Sequence, residues 1–178
     1  MTINRPDATE FAAFYSGYIG KVPDSGPVNL LEEQIGQLEK LKALPDDKAN
    51  YAYAEGKWTV KEVLGHLADG ERVFSYRLTR IARGDQTPLA GFDENAWAKT
   101  APHRRRPLAD VVNELLAIRR STLALIGSLD ESSIANKGVA NNNPVTARAI
   151  CWIMAGHTKH HLDILKERYG VLTLDILN

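Results

Sequence analysis

The sequence has little cysteine, no excess of charge of either sign and no long apolar run, and each of these absences excludes a class of protein. Cys151 is the only cysteine among 178 residues, so no disulfide can form within the chain. The 22 Lys and Arg residues balance the 22 Asp and Glu residues, whereas proteins that bind nucleic acids or anionic membranes usually carry a basic excess. No apolar run approaches the roughly 18 residues of a membrane span. We therefore expect neither a nucleic-acid partner nor a membrane.

The amino terminus and the length predict a cytoplasmic protein built as one domain. The first residues, from Met1 to Asp7, lack the apolar core of a signal peptide. A lone cysteine also fits a reducing compartment. The length favours a single domain over residues 1–178, since domains of roughly 100–200 residues are the common size.

Four segments carry apolar residues at three- and four-residue steps, which is the spacing of helices that bury one face. Thr59 and Glu62 form a capping-box pattern at the start of the second segment. Asn143 followed by Pro144 predicts the start of the fourth, and Gly170 predicts its end. With their capping residues, the predicted helices span residues 29–44, 59–84, 107–129 and 143–170.

The segments between these helices are predicted to be loops, apart from two short helical pieces. Residues 7–19 suit a short amino-terminal helix, and residues 93–99 suit a helical turn within the long connection from 86 to 106. The three successive asparagines near the end of residues 130–143 predict a loop there, and the pattern suggests a strand only at 171–174. The expected fold class is all-α: a four-helix bundle with a long connection between helices two and three.

That long connection is expected to be functional, because connections of about 20 residues without regular structure are uncommon in compact domains. Its Phe92 and Trp97 could form an apolar wall that closes a substrate pocket. Alternatively, the segment covers one end of the bundle and its aromatic side chains complete the core.

His157 and His161 form the most informative pair in the chain. A step of four residues stacks two side chains on one helix face. Both rings fall within about 20° of the centre of the apolar stripe of the last helix, at about 100° per residue, whereas Lys159 and Asp163 fall on the opposite side. Two buried imidazoles without a partner are costly, and a metal ion is the simplest partner that both could share.

His66 is the best candidate for a third ligand, since it lies at the edge of the apolar face of the second helix and could reach across the bundle. His160 is expected to face away from the site, and His103 is expected to be solvated in its Pro/Arg-rich loop. Asp69 and Glu62 could orient a ligand as hydrogen-bonding carboxylates, or could be ordinary helix-surface charges.

Other interpretations of the histidines remain open. Each could be a hydrogen-bonded core residue in a bundle without metal. A metalloprotease is disfavoured, because Thr158 stands where the HExxH pattern has glutamate. Cys151 lies about 100° from the stripe centre and is expected to be neither a ligand nor a nucleophile.

Three stretches of the sequence resemble a known family. Residues 58–69 (WTVKEVLGHLAD) with Glu71 and Arg72, residues 80–85 (RIARGD) and residues 155–162 (AGHTKHHL) resemble motifs of the DinB/YfiT-like superfamily. The resemblance extends from about Phe14 to Tyr169. It implies a four-helix bundle that holds one divalent metal ion, commonly zinc or nickel, through three histidines, which here are His66, His157 and His161. Many relatives carry an acidic residue at the position of Thr158, so no acid/base role is expected there.

The resemblance also implies a range of activities. Members include transferases and isomerases that use low-molecular-weight thiols, others considered metal-dependent hydrolases, and many without known activity. We expect a metal-dependent enzyme that acts on a small-molecule substrate, with thiol transfer slightly preferred and hydrolysis as the alternative. A non-catalytic metal-binding stress-response module is a further alternative. Bundles of this kind often pair, and apolar residues beyond one stripe favour a homodimer: Leu108, Leu115, Leu116 and Leu123.

Overall fold

Four long helices form a bundle in the computed structural model, which describes residues 2–172. Short helices and one β-hairpin connect them. In chain order the elements are α1 (Ser16–Ile19), α2 (Pro27–Leu41), α3 (Asp46–Ala49), α4 (Val60–Ala82), α5 (Glu94–Thr100), α6 (Leu108–Gly127), α7 (Glu131–Ala135), β1 (Lys137–Ala140), β2 (Asn143–Thr146) and α8 (Ala147–Tyr169). The all-α four-helix bundle is therefore confirmed, with α2, α4, α6 and α8 as its long helices.

The predicted starts of two long helices had different outcomes. The capping box of α4 is present: the Glu62 amide donates to Thr59 Oγ1 at 3.3 Å, and the Thr59 amide donates to the Glu62 carboxylate at 2.8 Å. The start predicted at Asn143 and Pro144 is wrong, because both residues belong to β2. Thr146 caps α8 instead, accepting a hydrogen bond from the Ala149 amide at 3.0 Å.

The hairpin occupies much of the segment that the sequence predicts to be a loop. Asn141 and Asn142 both have positive φ, 50° and 59°, which is the conformation of a two-residue type I′ turn. β1 and β2 then pair antiparallel, with Lys137 opposite Thr146. Asparagine tolerates this left-handed region better than most residues, so the local turn preference decides the structure here.

Smaller differences occur at both ends of the chain. The predicted helix over residues 7–19 is divided into 3-10 turns at Ala8–Glu10 and Ala13–Tyr15, followed by α1. Gly170 ends α8 in the left-handed conformation, as predicted. Of the strand predicted at 171–174, residues 171 and 172 are not in a strand, and residues 173 and 174 lie outside the described part.

The core is divided into two apolar clusters by a layer of polar side chains. One cluster contains Leu31, Leu78 and Ile150, and the other contains Leu38, Leu64 and Leu165. Every long helix passes from one cluster to the other, and each contributes a buried polar side chain at the crossing: Gln34, Glu71, Arg119, His157 and Thr158. The candidate site lies in this layer.

Among residues 2–172, no helix is both long enough and apolar enough to cross a membrane.

Candidate metal centre

Three histidines from two helices converge in the polar layer. His66 comes from α4, and His157 and His161 come from successive turns of α8. One ring nitrogen from each residue can be chosen so that all three lie within 4.8 Å of one another. The Nε2 atoms of His66 and His157 are 3.0 Å apart. The structure thus brings together the three side chains that the sequence singles out.

Burial keeps these three imidazoles neutral. Desolvation lowers the pKa of His66 to about 4, against smaller opposing effects of the Glu94 and Asp69 carboxylates. Desolvation first, and then repulsion from His66 and His160, lowers the pKa of His161 to about 3. His157 is the most buried of the three, and its pKa lies well below the ordinary value for the same reasons. At neutral pH all three rings are therefore uncharged, which is the form that binds metal ions.

Aromatic rings and a glycine fix the positions of the histidines. The ring of Tyr18 packs edge-on against His157, with centroids 5.3 Å apart, and Trp58 lies 4.8 Å from His66. A Cβ atom on Gly70 would meet the His157 ring at 3.3 Å. A side chain at position 70 would therefore crowd both the ring and the space beside it.

A cavity of about 220 Å³ opens beside the three histidines. Its walls are mainly aromatic, and its polar groups outside the histidines include Arg77, Glu94 and Asn141. The complete lining comprises Phe14, Tyr15, Tyr18, Trp58, His66, Gly70, Phe74, Arg77, Phe92, Glu94, Asn141, His157 and His161. A mostly apolar cavity with a few convergent polar groups is the usual form of a small-molecule site.

The long connection between α4 and α6 contributes Phe92 and Glu94 to this cavity. Its helical piece is α5, which is capped by the Asp93 side chain and agrees with the turn predicted at 93–99. Trp97 stacks on Phe92 with ring centroids 4.7 Å apart, and 42% of its surface is exposed. Trp97 therefore supports the cavity wall from outside and is not a core residue.

The remaining histidines lie outside the group of three. His160 is partly buried, 5.1 Å from His161 between ring centroids. The prediction that His103 is solvated is wrong, because only 5% of its surface is exposed. It sits against Gly65, where any Cβ would meet the ring at 2.2 Å, and its Nε2 is 3.2 Å from Asp69 Oδ2. The sequence feature that could have indicated this is Gly65, because a glycine on a helix face leaves room for a ring such as that of His103.

The other residues considered from the sequence have structural surroundings that explain them. Asp69 contacts His103 and Arg72, and Glu62 caps α4. Cys151 is fully buried in the apolar core, and desolvation raises the pKa of its thiol to about 12. It does not line the cavity.

Sequence reasoning missed a buried ion pair beside the histidines. Arg119 is fully buried and donates to both carboxylate oxygens of Glu71, at 2.8 and 2.7 Å. It also donates to Thr158 Oγ1 at 3.0 Å and to Gln34 Oε1 at 2.9 Å, so it joins all four long helices. The sequence feature that could have indicated this ion pair is the position of Arg119 within the apolar stripe of α6. Thr158 is a structural hydrogen-bonding residue here.

Comparisons with known proteins identify the family and agree with the fold. The chain matches the DinB superfamily over residues 30–165. A "Putative metal-dependent hydrolase" of Geobacillus kaustophilus is 30% identical over 137 residues, covering 73% of this chain and 76% of that protein. A protein of the same designation from Oceanobacillus iheyensis is 25% identical over 160 residues, covering 83% of this chain and 91% of that protein.

Two solved structures share the fold. YfiT from Bacillus subtilis, whose four-helix bundle topology is described as unusual, superposes with a TM-score of 0.71 at 21% identity, covering 84% of this chain and 91% of that one. A mycothiol-dependent maleylpyruvate isomerase superposes with a TM-score of 0.66 at 13% identity, covering 89% and 68%. At these identities the likeness shows the fold alone.

Proposed function

This chain belongs to the DinB superfamily, and we propose that it is a metal-dependent enzyme whose divalent ion is held by His66, His157 and His161. The observation that carries the proposal is the convergence of three neutral imidazoles at the wall of a cavity. Zn–N bonds of about 2.0–2.1 Å place two ligand nitrogens at most about 4 Å apart. The 3.0 Å separation of the His66 and His157 Nε2 atoms lies within this limit, and all three nitrogens lie within 4.8 Å, so a bound ion would draw the rings slightly closer together.

The donor set favours zinc or nickel, which imidazole binds well. Three protein ligands leave a coordination position free, as in catalytic rather than structural sites. When bound, such an ion would supply Lewis acidity that activates water or binds a thiolate as nucleophile. The protein's part is to keep the three nitrogens deprotonated, close together and open to the cavity.

Glu94 is the residue that we propose moves a proton during the reaction. Its carboxylate lines the cavity and lies close enough to His66 to raise the pKa of that ring against the larger effect of desolvation. Thr158 is not placed to do this, because its side chain is buried against Arg119 and does not line the cavity. A carboxylate at the mouth of the cavity can exchange protons with solvent and with a bound nucleophile.

The nucleophile could be water or a thiol from solution, and each has support. Designations of the relatives favour hydrolysis. Thiol transfer is favoured by the mycothiol dependence of the structurally similar isomerase. Cys151 is buried and outside the cavity, so the protein does not provide the thiol itself. Turnover of an aryl halide that requires added cysteine would support thiol transfer, and ester hydrolysis without thiol would support hydrolysis.

Metal content tests the proposal directly. Tag-free wild-type protein should hold about one zinc or nickel ion per chain, measured by elemental analysis. The His157→Ala/His161→Ala variant should hold almost none. His160→Ala is the matched control, since it removes a neighbouring imidazole on the same helix and should keep full occupancy. Full metal content in the double variant would refute the site. A metal that stabilises the bundle without supporting turnover would favour the non-catalytic alternative.

Self-association into a homodimer remains a prediction. Three of the leucines that favoured it are buried within this chain: Leu108, Leu115 and Leu116. The support is therefore reduced to the family resemblance, and sedimentation equilibrium would test it.

A further inference from the structure

Arg77 is a buried cation at the wall of the histidine cavity. Only 3% of its surface is exposed. Its Nη2 donates to the Ala90 carbonyl at 2.7 Å, whereas its Nε is buried without a hydrogen-bond partner in the part of the chain described. No carboxylate among residues 2–172 forms a salt bridge with Arg77, and this includes Glu94 of the same cavity. Tyr15 of the same wall also interacts with the guanidinium, but a neutral phenol does not balance its charge, so Arg77 has no ion-pair partner in the described structure.

The loop that covers Arg77 is held in place by the hairpin. The Leu89 amide donates to the Val139 carbonyl, and the Asn141 amide donates to the Leu89 carbonyl, each at 2.9 Å. Ala90 follows directly, so its carbonyl is fixed where it meets the guanidinium. The ring of Phe92 lies 6.0 Å from the guanidinium carbon and completes the enclosure. The cation is therefore positioned before any ligand arrives.

An isolated buried cation is costly, and proteins usually pair it. Arg119 shows the usual solution, since both oxygens of Glu71 neutralise it. Arg77 has the same burial without a carboxylate. The difference between them is that Arg77 lines the cavity, where a ligand could supply the negative charge.

The positions of His66 and Arg77 along α4 define the direction in which such a ligand would lie. His66 and Arg77 lie on one face of this helix, about three turns or 16 Å apart along the axis. Gly70 lies between them and has no side chain to fill the space. Phe74 and the aromatic residues opposite then form apolar walls along the path.

We propose that the cavity binds a small organic anion with an apolar body, whose negatively charged group is held by Arg77 and whose other end points toward the three histidines. The direction of the ligand rests on the proposed metal-dependent function, but recognition of the anion by Arg77 does not require the metal. The two proposals can therefore fail separately.

The test compares two probes of nearly identical shape, phenylacetate and the neutral phenylacetamide, by calorimetry on metal-free protein. Wild-type protein should bind phenylacetate at least tenfold more tightly than phenylacetamide. In Arg77→Met the two affinities should agree within about twofold. Arg83→Met removes an exposed arginine at the end of the same helix and should keep the wild-type preference.

Equal affinity for the two probes in wild-type protein would overturn the proposal, and this result does not depend on any variant folding. An unchanged preference in folded Arg77→Met would also overturn it. Circular dichroism checks folding, and Arg77→Lys, which keeps the charge, should retain part of the preference. Because metal is absent throughout, a negative result leaves the three-histidine proposal untouched.

Discussion

Two buried polar clusters lie side by side in the middle of the bundle, and they differ in whether the protein completes them. Arg119 is surrounded by acceptors from the other three long helices, including the Glu71 carboxylate. The histidine cluster contains three neutral rings, each of which disfavours protonation of the others. None of the three is paired with a carboxylate in the described structure. The first cluster is closed and structural. The second is open to a cavity, and in the proposed function a metal ion bound from solution completes it.

Removing one partner of the closed cluster should have the largest effect on stability. Arg119→Met leaves the Glu71 carboxylate buried without its counter-ion, and such a loss typically costs about 3–5 kcal/mol. Urea unfolding of metal-free protein should show this loss in the free energy of unfolding. Arg120→Met is the control, since its side chain is 63% exposed, and it should change stability by less than about 0.5 kcal/mol. Similar stabilities of the two variants would show that the Arg119 cluster is not structural.

The open cluster should make the metal-free protein sensitive to mild acid. In the folded protein the pKa values of His66 and His161, about 4 and 3, lie below the ordinary histidine value of about 6.5. Between these pH values the histidines are protonated in the unfolded chain but not in the folded chain. The free energy of unfolding is therefore greatest above pH 6.5 and falls as the pH decreases. The expected loss is on the order of 1 kcal/mol per histidine for each pH unit below 6.5, until the folded pKa is reached.

Urea unfolding at pH 7.5 and 5.5 measures this loss. The His157→Ala/His161→Ala variant should lose less stability over the same interval, because two of the three rings are gone. Saturating zinc should shift the midpoint of the acid transition of wild-type protein to lower pH, and should not do so in the variant. If wild type and variant lost the same stability on acidification, the burial of neutral histidines would not be the cause.

The smallest effect is expected at the wall of the cavity. Trp97→Ala removes a partly exposed ring that supports Phe92, so stability should change by less than about 0.5 kcal/mol and metal content should be unchanged. Affinity for phenylacetate should fall about two- to threefold, as the Phe92 wall loses support. Tyr76→Ala removes another exposed aromatic ring, on α4, and should leave the affinity unchanged. Global unfolding of Trp97→Ala would instead make Trp97 a core residue.

The sequence predicted the long helices and the histidine trio for the same reason. Helical periodicity places His157 and His161 one turn apart on the apolar side of α8 and His66 at the edge of the apolar face of α4, and the family resemblance agrees with all three. The capping box of α4 was also predictable, since its hydrogen bonds join the backbone and side chains of Thr59 and Glu62, three residues apart. Such features depend on neighbours three or four residues away.

The errors came from contacts distant in sequence or from a competing local preference. Asn143 and Pro144 look like a helix start, but the two preceding asparagines turn the chain into a hairpin. His103 looks like a loop residue in a basic segment, but Gly65, 38 positions earlier, leaves room for its ring inside the fold.

The sequence by itself determined the bundle, the start of α4, the end of α8 and the histidines that converge at the candidate site, because these follow from periodicities and caps that act over one or two turns. Only the tertiary structure decided which buried charges are neutralised and which are not. Arg77 and Arg119 look alike in the sequence, each an arginine in an amphipathic helix. Their surroundings separate them, since Glu71 reaches Arg119 across the bundle while Arg77 is left facing a cavity. Electrostatic compensation depends on distances between helices, and no local pattern in the chain specifies those distances.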